Sequence, residues 1–84
     1  MLTAKIRITL RSSILDPQGK AVEGSLKTMG FGKIVDTRIG KYIELKMDTK
    51  DNKEAENIAE QACKKLLANP VMENYDFEII KSED

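Results

Sequence analysis

An α+β fold with the element order β-α-β-β-α-β is what the sequence predicts, on three observations. Alternating apolar and polar residues occur in four short runs, the signature of strands buried on one face. Between the first and second runs, and again between the third and fourth, apolar residues recur at helical spacing behind an aspartate suited to cap a helix. Glycine, proline or polar clusters mark the joins, with no linker or low-complexity segment.

The first strand spans residues 4–10, where Ile6, Ile8 and Leu10 alternate with Lys5, Arg7 and Thr9. After the loop 11–15, Asp16 is a good N-cap and Pro17 suits the first helical position. The first helix therefore runs from residue 17 to about 29, with Gly30 as its stop. Val22, Leu26 and Met29 form its apolar stripe; Lys20, Glu23, Gly24 and Lys27 lie on the far side, with Glu23 and Lys27 as an i,i+4 ion pair.

Residues 33–39 alternate again, as do residues 42–47, with Ile43, Leu45 and Met47 on the apolar side of the latter. Two strands so close read as a hairpin in which Gly40 makes the turn at positive φ. Asp51 and Glu54 resemble a capping box. The second helix then carries Ala55, Ile58, Ala59, Ala62, Cys63, Leu66 and Leu67 on an arc about 180° wide. That is broader than packing on a sheet requires, and it predicts a second contact, such as another subunit. Asn69-Pro70 ends the helix. The fourth strand covers residues 74–80, and residues 81–84 form a polar, frayed tail.

This order is the split βαβ, or ferredoxin-like, pattern. It predicts one domain over residues 1–84, with a four-stranded antiparallel sheet and both helices on one face. Two right-handed crossovers give the strand order 4-1-3-2. The helix-covered face collects Ile6, Ile8, Val35, Ile43, Leu45 and Phe77. The open face carries Lys5, Arg7, Asp36, Arg38, Tyr42, Glu44, Asp76 and Glu78, a mixture suited to cross-strand ion pairs.

Composition excludes several functions. The 84 residues include no histidine and one cysteine, so no Cys-His or Ser-His dyad, disulfide framework or ordinary zinc site can form within the chain. Fourteen basic residues balance fourteen acidic ones, which argues against a nucleic-acid partner bound through phosphates. No apolar run approaches the roughly 20 residues of a membrane span, and the start of the sequence has no signal-peptide core. A reducing cytoplasm is the expected setting.

Individual candidates for chemistry fare no better. RNA-binding domains of this topology need stacking aromatics on the central strands, and the first strand offers Lys5, Arg7 and Thr9 instead. A phosphate cradle after the first strand would use Arg11, but Ser12-Ser13-Ile14-Leu15 is not glycine-rich, so Arg11 reads as a surface residue. Cys63 lacks an activating base and reads as a small core hydrophobe. No carboxylate pair demands an acid-base role. A small association module fits better than an enzyme, and a domain this small has reason to associate for stability.

Three stretches taken together are more specific. Residues 14–24 (ILDPQGKAVEG), 35–45 (VDTRIGKYIEL) and 65–73 (KLLANPVME) resemble the PurS family, the small subunit of phosphoribosylformylglycinamidine synthase, in order and in spacing. The resemblance covers about residues 6–80. It implies a role in purine biosynthesis: ATP- and glutamine-dependent conversion of formylglycinamide ribonucleotide to its amidine. A large PurL subunit would hold ATP, Mg and the amidation site, and a PurQ glutaminase would release ammonia. This chain would join them, as a homodimer or a dimer of dimers. The resemblance places no catalytic, cofactor or metal residue on the chain. Arg38, Lys41 and Tyr42 at the expected hairpin are contact candidates, with the outer side of the first helix around Lys20, Gly24 and Lys27 as a second surface. The alternative is a stand-alone ACT-like module binding a small amino acid between paired domains.

Overall fold

The computed structural model describes residues 1–82. Its elements are β1 (Leu2–Leu10), α1 (Pro17–Thr28), β2 (Gly40–Met47), α2 (Asn52–Ala62) and β3 (Glu73–Lys81), with one π-helical turn, Cys63–Leu67, continuing α2. The sheet is antiparallel with β1 in the centre, in the order β2-β1-β3. Both helices lie on one face, completing a small split βαβ topology.

Three of the four expected strands keep their expected neighbours, the 4-1-3 part of the order 4-1-3-2. The expected second strand, residues 33–39, is not one. Residues 34–39 have no regular structure and run directly into β2 at Gly40. The hairpin is therefore absent, and Gly40 does not take positive φ; Gly30 does, at 100°. Gly40 lies opposite Thr9 in the ladder. A Cβ there would fall against the Ile8 carbonyl oxygen and 2.7 Å from Thr9 Cγ2. Glycine is required for close approach, not for a turn.

The core is one-sided. Alternate residues Leu2, Ala4, Ile6 and Ile8 of β1 are buried, as are Ala55, Ala59 and Cys63 of the α2 segment and Met47. Ile43 and Leu45 of β2 and Tyr75, Phe77 and Ile79 of β3 pack beside them, half buried. This matches the expected core except for Val35, which is 89% exposed because its segment has no strand to join. On the open face Arg7 Nε donates to Asp76 at 2.8 Å, and Lys5 sits opposite Glu44 and Glu78. Asp36 and Arg38 lie off the sheet.

Helix ends follow local chemistry. Asp16 caps α1 by accepting from Gly19 N–H at 2.9 Å. At the other end Gly30 N–H reaches Lys27 O and Phe31 N–H reaches Leu26 O, a Schellman pair closed by the left-handed Gly30. Asp51 caps α2 through Lys53 N–H, but its own N–H donates to Thr49 Oγ1 at 3.2 Å, the role a capping box gives to Glu54. In α2 the π turn closes with Ala68 N–H to Cys63 O. Lys81 belongs to β3, and Ser82 is tied to Thr3 and Met1, so these two are not frayed. Residues 83 and 84 of the expected tail lie outside the described residues.

α2 packs on β1 and β3; α1 packs closely on none of the strands. The face it turns inward carries Gly19 and Glu23, not the expected apolar stripe. Val22 is 40% exposed and Met29 71%. The molecule is correspondingly long, 48 × 30 × 15 Å.

Candidate functional site

Two of the side chains singled out around the expected hairpin, Arg38 and Lys41, lie where α1, the 34–39 segment and the ends of all three strands meet. Asp16 organises this junction. One carboxylate oxygen caps α1, and the other accepts from Ile39 N–H at 2.8 Å. The Ile39 amide, then the Gly19 amide, hold its carboxyl below the usual aspartate range, helped by the nearby Arg38 charge. Gly19 lets the helix start approach closely, since a Cβ there would meet the Thr37 carbonyl oxygen. Asp16 therefore clamps α1 to the lead-in of β2.

Arg11 is more than a surface residue. Its guanidinium donates to Pro70 O at 2.6 Å, and its backbone N–H donates to Met72 O. Its own carbonyl accepts from Arg38 Nη2 at 2.8 Å. The loops after β1, before β2 and before β3 are thereby tied together. Lys41 Nζ pairs with Glu73 at 3.5 Å across the same end of the sheet. Tyr42 lies on the open face and donates to Glu44 at 2.8 Å; that bond to a carboxylate raises its pKa. Lys41 and Tyr42 thus stand on opposite faces at the start of β2, and Arg38 lies on the irregular segment that leads into it, not on a hairpin turn. A cavity of about 290 Å³ opens at this end of the sheet, with Asp16, Ile39, Gly40, Lys41 and Glu73 on its wall.

The second expected surface adjoins the first, Lys20 lining a surface pocket together with Arg38. Lys20 and Gly24 are exposed on α1, and nothing lies within 4 Å of where a Gly24 Cβ would be. Lys27 pairs with Glu23 at 3.3 Å as expected, but Glu23 is buried, not on the outer side, and its Oε1 has no hydrogen-bond partner among the described residues.

Sequence reasoning missed Arg11, Glu73 and the second role of Asp16. Arg11 and Asp16 work through backbone groups far away in sequence, and Glu73 through the distant Lys41 side chain, which local patterns do not encode. The broad apolar arc of α2 was legible: Ile58 is 41% exposed, so its outer part is uncovered. Burial pushes the Cys63 thiol up, with the Glu60 charge adding to it, the reverse of an activated nucleophile. Among the described residues no three His, Cys, Asp or Glu side chains could hold a metal, and no helix is long and apolar enough to cross a membrane. The junction can hold elements in place; it has no arrangement for moving a proton or a phosphoryl group.

Comparison with known proteins agrees with this reading. A family model described as PurS, phosphoribosylformylglycinamidine (FGAM) synthase, matches residues 3–81. The PurS subunit of Bacillus subtilis is 40% identical over 79 residues, covering 94% of this chain and 93% of its own. That of Synechocystis is 46% identical, covering 94% and 79%. Among solved structures, Methanocaldococcus jannaschii PurS superposes with a TM-score of 0.86 at 31% identity, covering 99% of this chain and 100% of its own. A chain of PurLQS from Thermotoga maritima gives 0.83 at 30% identity, covering 95% and 99%. On a match that runs through every described strand and helix, the chain belongs to the PurS family, the small subunit of phosphoribosylformylglycinamidine synthase.

Proposed function

We propose that the chain is the non-catalytic assembly subunit of a phosphoribosylformylglycinamidine synthase, joining a PurQ-type glutaminase to a PurL-type large subunit. The observation that carries this reading is full-length family membership, together with the similarity to a chain of the PurLQS structure. ATP and Mg would be used on the large subunit, and the complex would work in the cytoplasm, where the free Cys63 stays reduced. The chain would act as a homodimer or a pair of dimers. Two surfaces are offered to other chains: Arg38 and Lys41 at the junction with Tyr42 on the open face of β2, and Lys20, Gly24 and Lys27 on α1. The ACT-like alternative gains nothing from the loop after β1, where Arg11 is committed to Pro70 and Arg38 is committed to Arg11.

Reconstitution tests the reading. Alone, the chain should neither hydrolyse glutamine nor turn over ATP. Added to the glutaminase and large subunits, it should raise glutamine-dependent amidine formation, while ammonia-dependent synthesis should depend on it less. Equal glutamine-dependent rates with and without the chain would remove the proposal.

A further inference from the structure

Of the three stretches that resemble the PurS family, residues 65–73 alone supply none of the contact candidates. They join α2 to β3, and their backbone is closed on itself. Every N–H from Ala68 to Glu73 donates, Pro70 having none. Ala68 donates to Cys63 O, Asn69 to Glu73 Oε1 at 2.7 Å, Val71 to Asn69 Oδ1 at 3.0 Å, and Met72 and Glu73 to Asn69 O. Arg11 holds the loop from outside through Pro70 O and Met72 O, and the Pro70 ring fixes one φ within it.

The side chains on this frame do not match its exposure. Leu66 is 83% exposed, Val71 78% and Met72 42%. None of them belongs to the core. The π turn places Leu66 outside, by shifting the phase of the helix after Cys63. A turn closed by its own hydrogen bonds has no need of apolar side chains in water. A single exposed one is ordinary, but a group between Leu66 and Met72 marks a contact surface. The charge around the group has one sign. Residues 8–15 and 61–72 contain Arg11, Lys64 and Lys65 and no carboxylate, in a chain whose charges cancel overall. Lys64 pairs with Glu60 at 3.5 Å, and Glu73 is engaged by Asn69 N–H and Lys41. Among the described residues no carboxylate pairs with Arg11 or Lys65.

We propose that Leu66, Val71 and Met72 form a preorganised apolar plug, rimmed by Arg11 and Lys65, that seats in an apolar pocket ringed by carboxylates on a different protein, one of the two subunits this chain joins. This rests on the assembly role proposed above and gives that role a third surface. A second copy of the chain does not fit the plug. A two-fold contact of the patch with itself would set the Arg11 and Lys65 charges against their own copies, and like charges across an interface reject a partner. Because the loop backbone is already fixed, docking orders little that was free. The apolar centre would slow dissociation, and the rim cations would steer encounter.

Binding kinetics separate these roles. In the full chain, Leu66→Ser with Val71→Ser should leave the melting temperature and the sedimentation of the chain as they are, both side chains being exposed. With the large subunit and the glutaminase immobilised in turn, the double variant should bind one of them at least about tenfold more weakly, through faster dissociation, at low and high salt alike. Lys65→Glu should slow association with that same subunit several-fold at low salt and leave it unchanged at high salt. Undiminished affinity for both subunits would overturn the plug. So would a loss of self-association in step with the loss of partner binding, which would give the patch to a second copy. The assembly role fails differently: a wild-type chain that binds neither subunit and adds nothing to glutamine-dependent synthesis removes both proposals, whereas a double variant that binds and supports synthesis like the wild type removes the plug alone.

Discussion

Two glycines illustrate how differently one residue type can be required. Gly30 is needed for its left-handed φ of 100° at the end of α1, whereas Gly40 is needed because the Ile8 carbonyl and Thr9 leave no room for a Cβ. Gly30→Ala should therefore lower stability by about 1 kcal/mol. Gly40→Ala should lower it by roughly 1–3 kcal/mol, since a backbone carbonyl must move. Urea unfolding checks both, with the midpoint shifting and the slope unchanged. Asp16 gives a pH signature. Its folded-state pKa is depressed, first by the Ile39 amide and then by the Gly19 amide. Its contribution to stability is thus present above the ordinary aspartate pKa and is lost as pH falls through the lower, folded value. Asp16→Asn should flatten that part of the acid-unfolding curve, measured by circular dichroism; an unchanged acid limb would show the carboxylate is not clamped. The cap at Asp16 was legible from Asp-Pro alone. Its bond to Ile39 was not, because nothing local marks which distant N–H a second carboxylate oxygen will find.

Among the elements, β1, β2, β3 and both helices were legible from period and capping. The 34–39 segment was legible as a strand and is not one within a single chain. Alternation reports that a segment can present one apolar face; it does not say which edge supplies the hydrogen bonds. The same limit applies at the end of α2, where the expected stripe continued through Leu66 and Leu67. The π turn changes the phase, leaving Leu66 83% exposed while Cys63 is fully buried. Leu66→Ala should alter the stability of the chain by about 0.5 kcal/mol or less. Ile6→Ala, at the centre of β1 with no exposure, should cost about 2–5 kcal/mol. Equal losses at the two sites would mean that Leu66 is covered in the folded protein, as it would be by another subunit.

At the scale of the whole molecule, the central strand is the first in sequence and is flanked by the second and the last. Its pairing with β3 runs from Leu10–Glu73 to Leu2–Lys81, and its pairing with β2 from Thr9–Gly40 to Leu2–Met47. Almost every sheet contact is therefore remote along the chain, and loop closure must precede it. During synthesis β1 emerges long before β3 exists, and its second edge stays open for that interval, with Ala4, Ile6 and Ile8 lacking the strand that completes their cover. Folding should be slow for so small a protein, on the millisecond-to-second side of the range for two-state domains. Stopped-flow refolding at sub-micromolar concentration, where association is slower than folding, would measure it. A nascent chain released before residue 73 would have one paired edge and one open edge on its most apolar strand, and should aggregate instead of waiting.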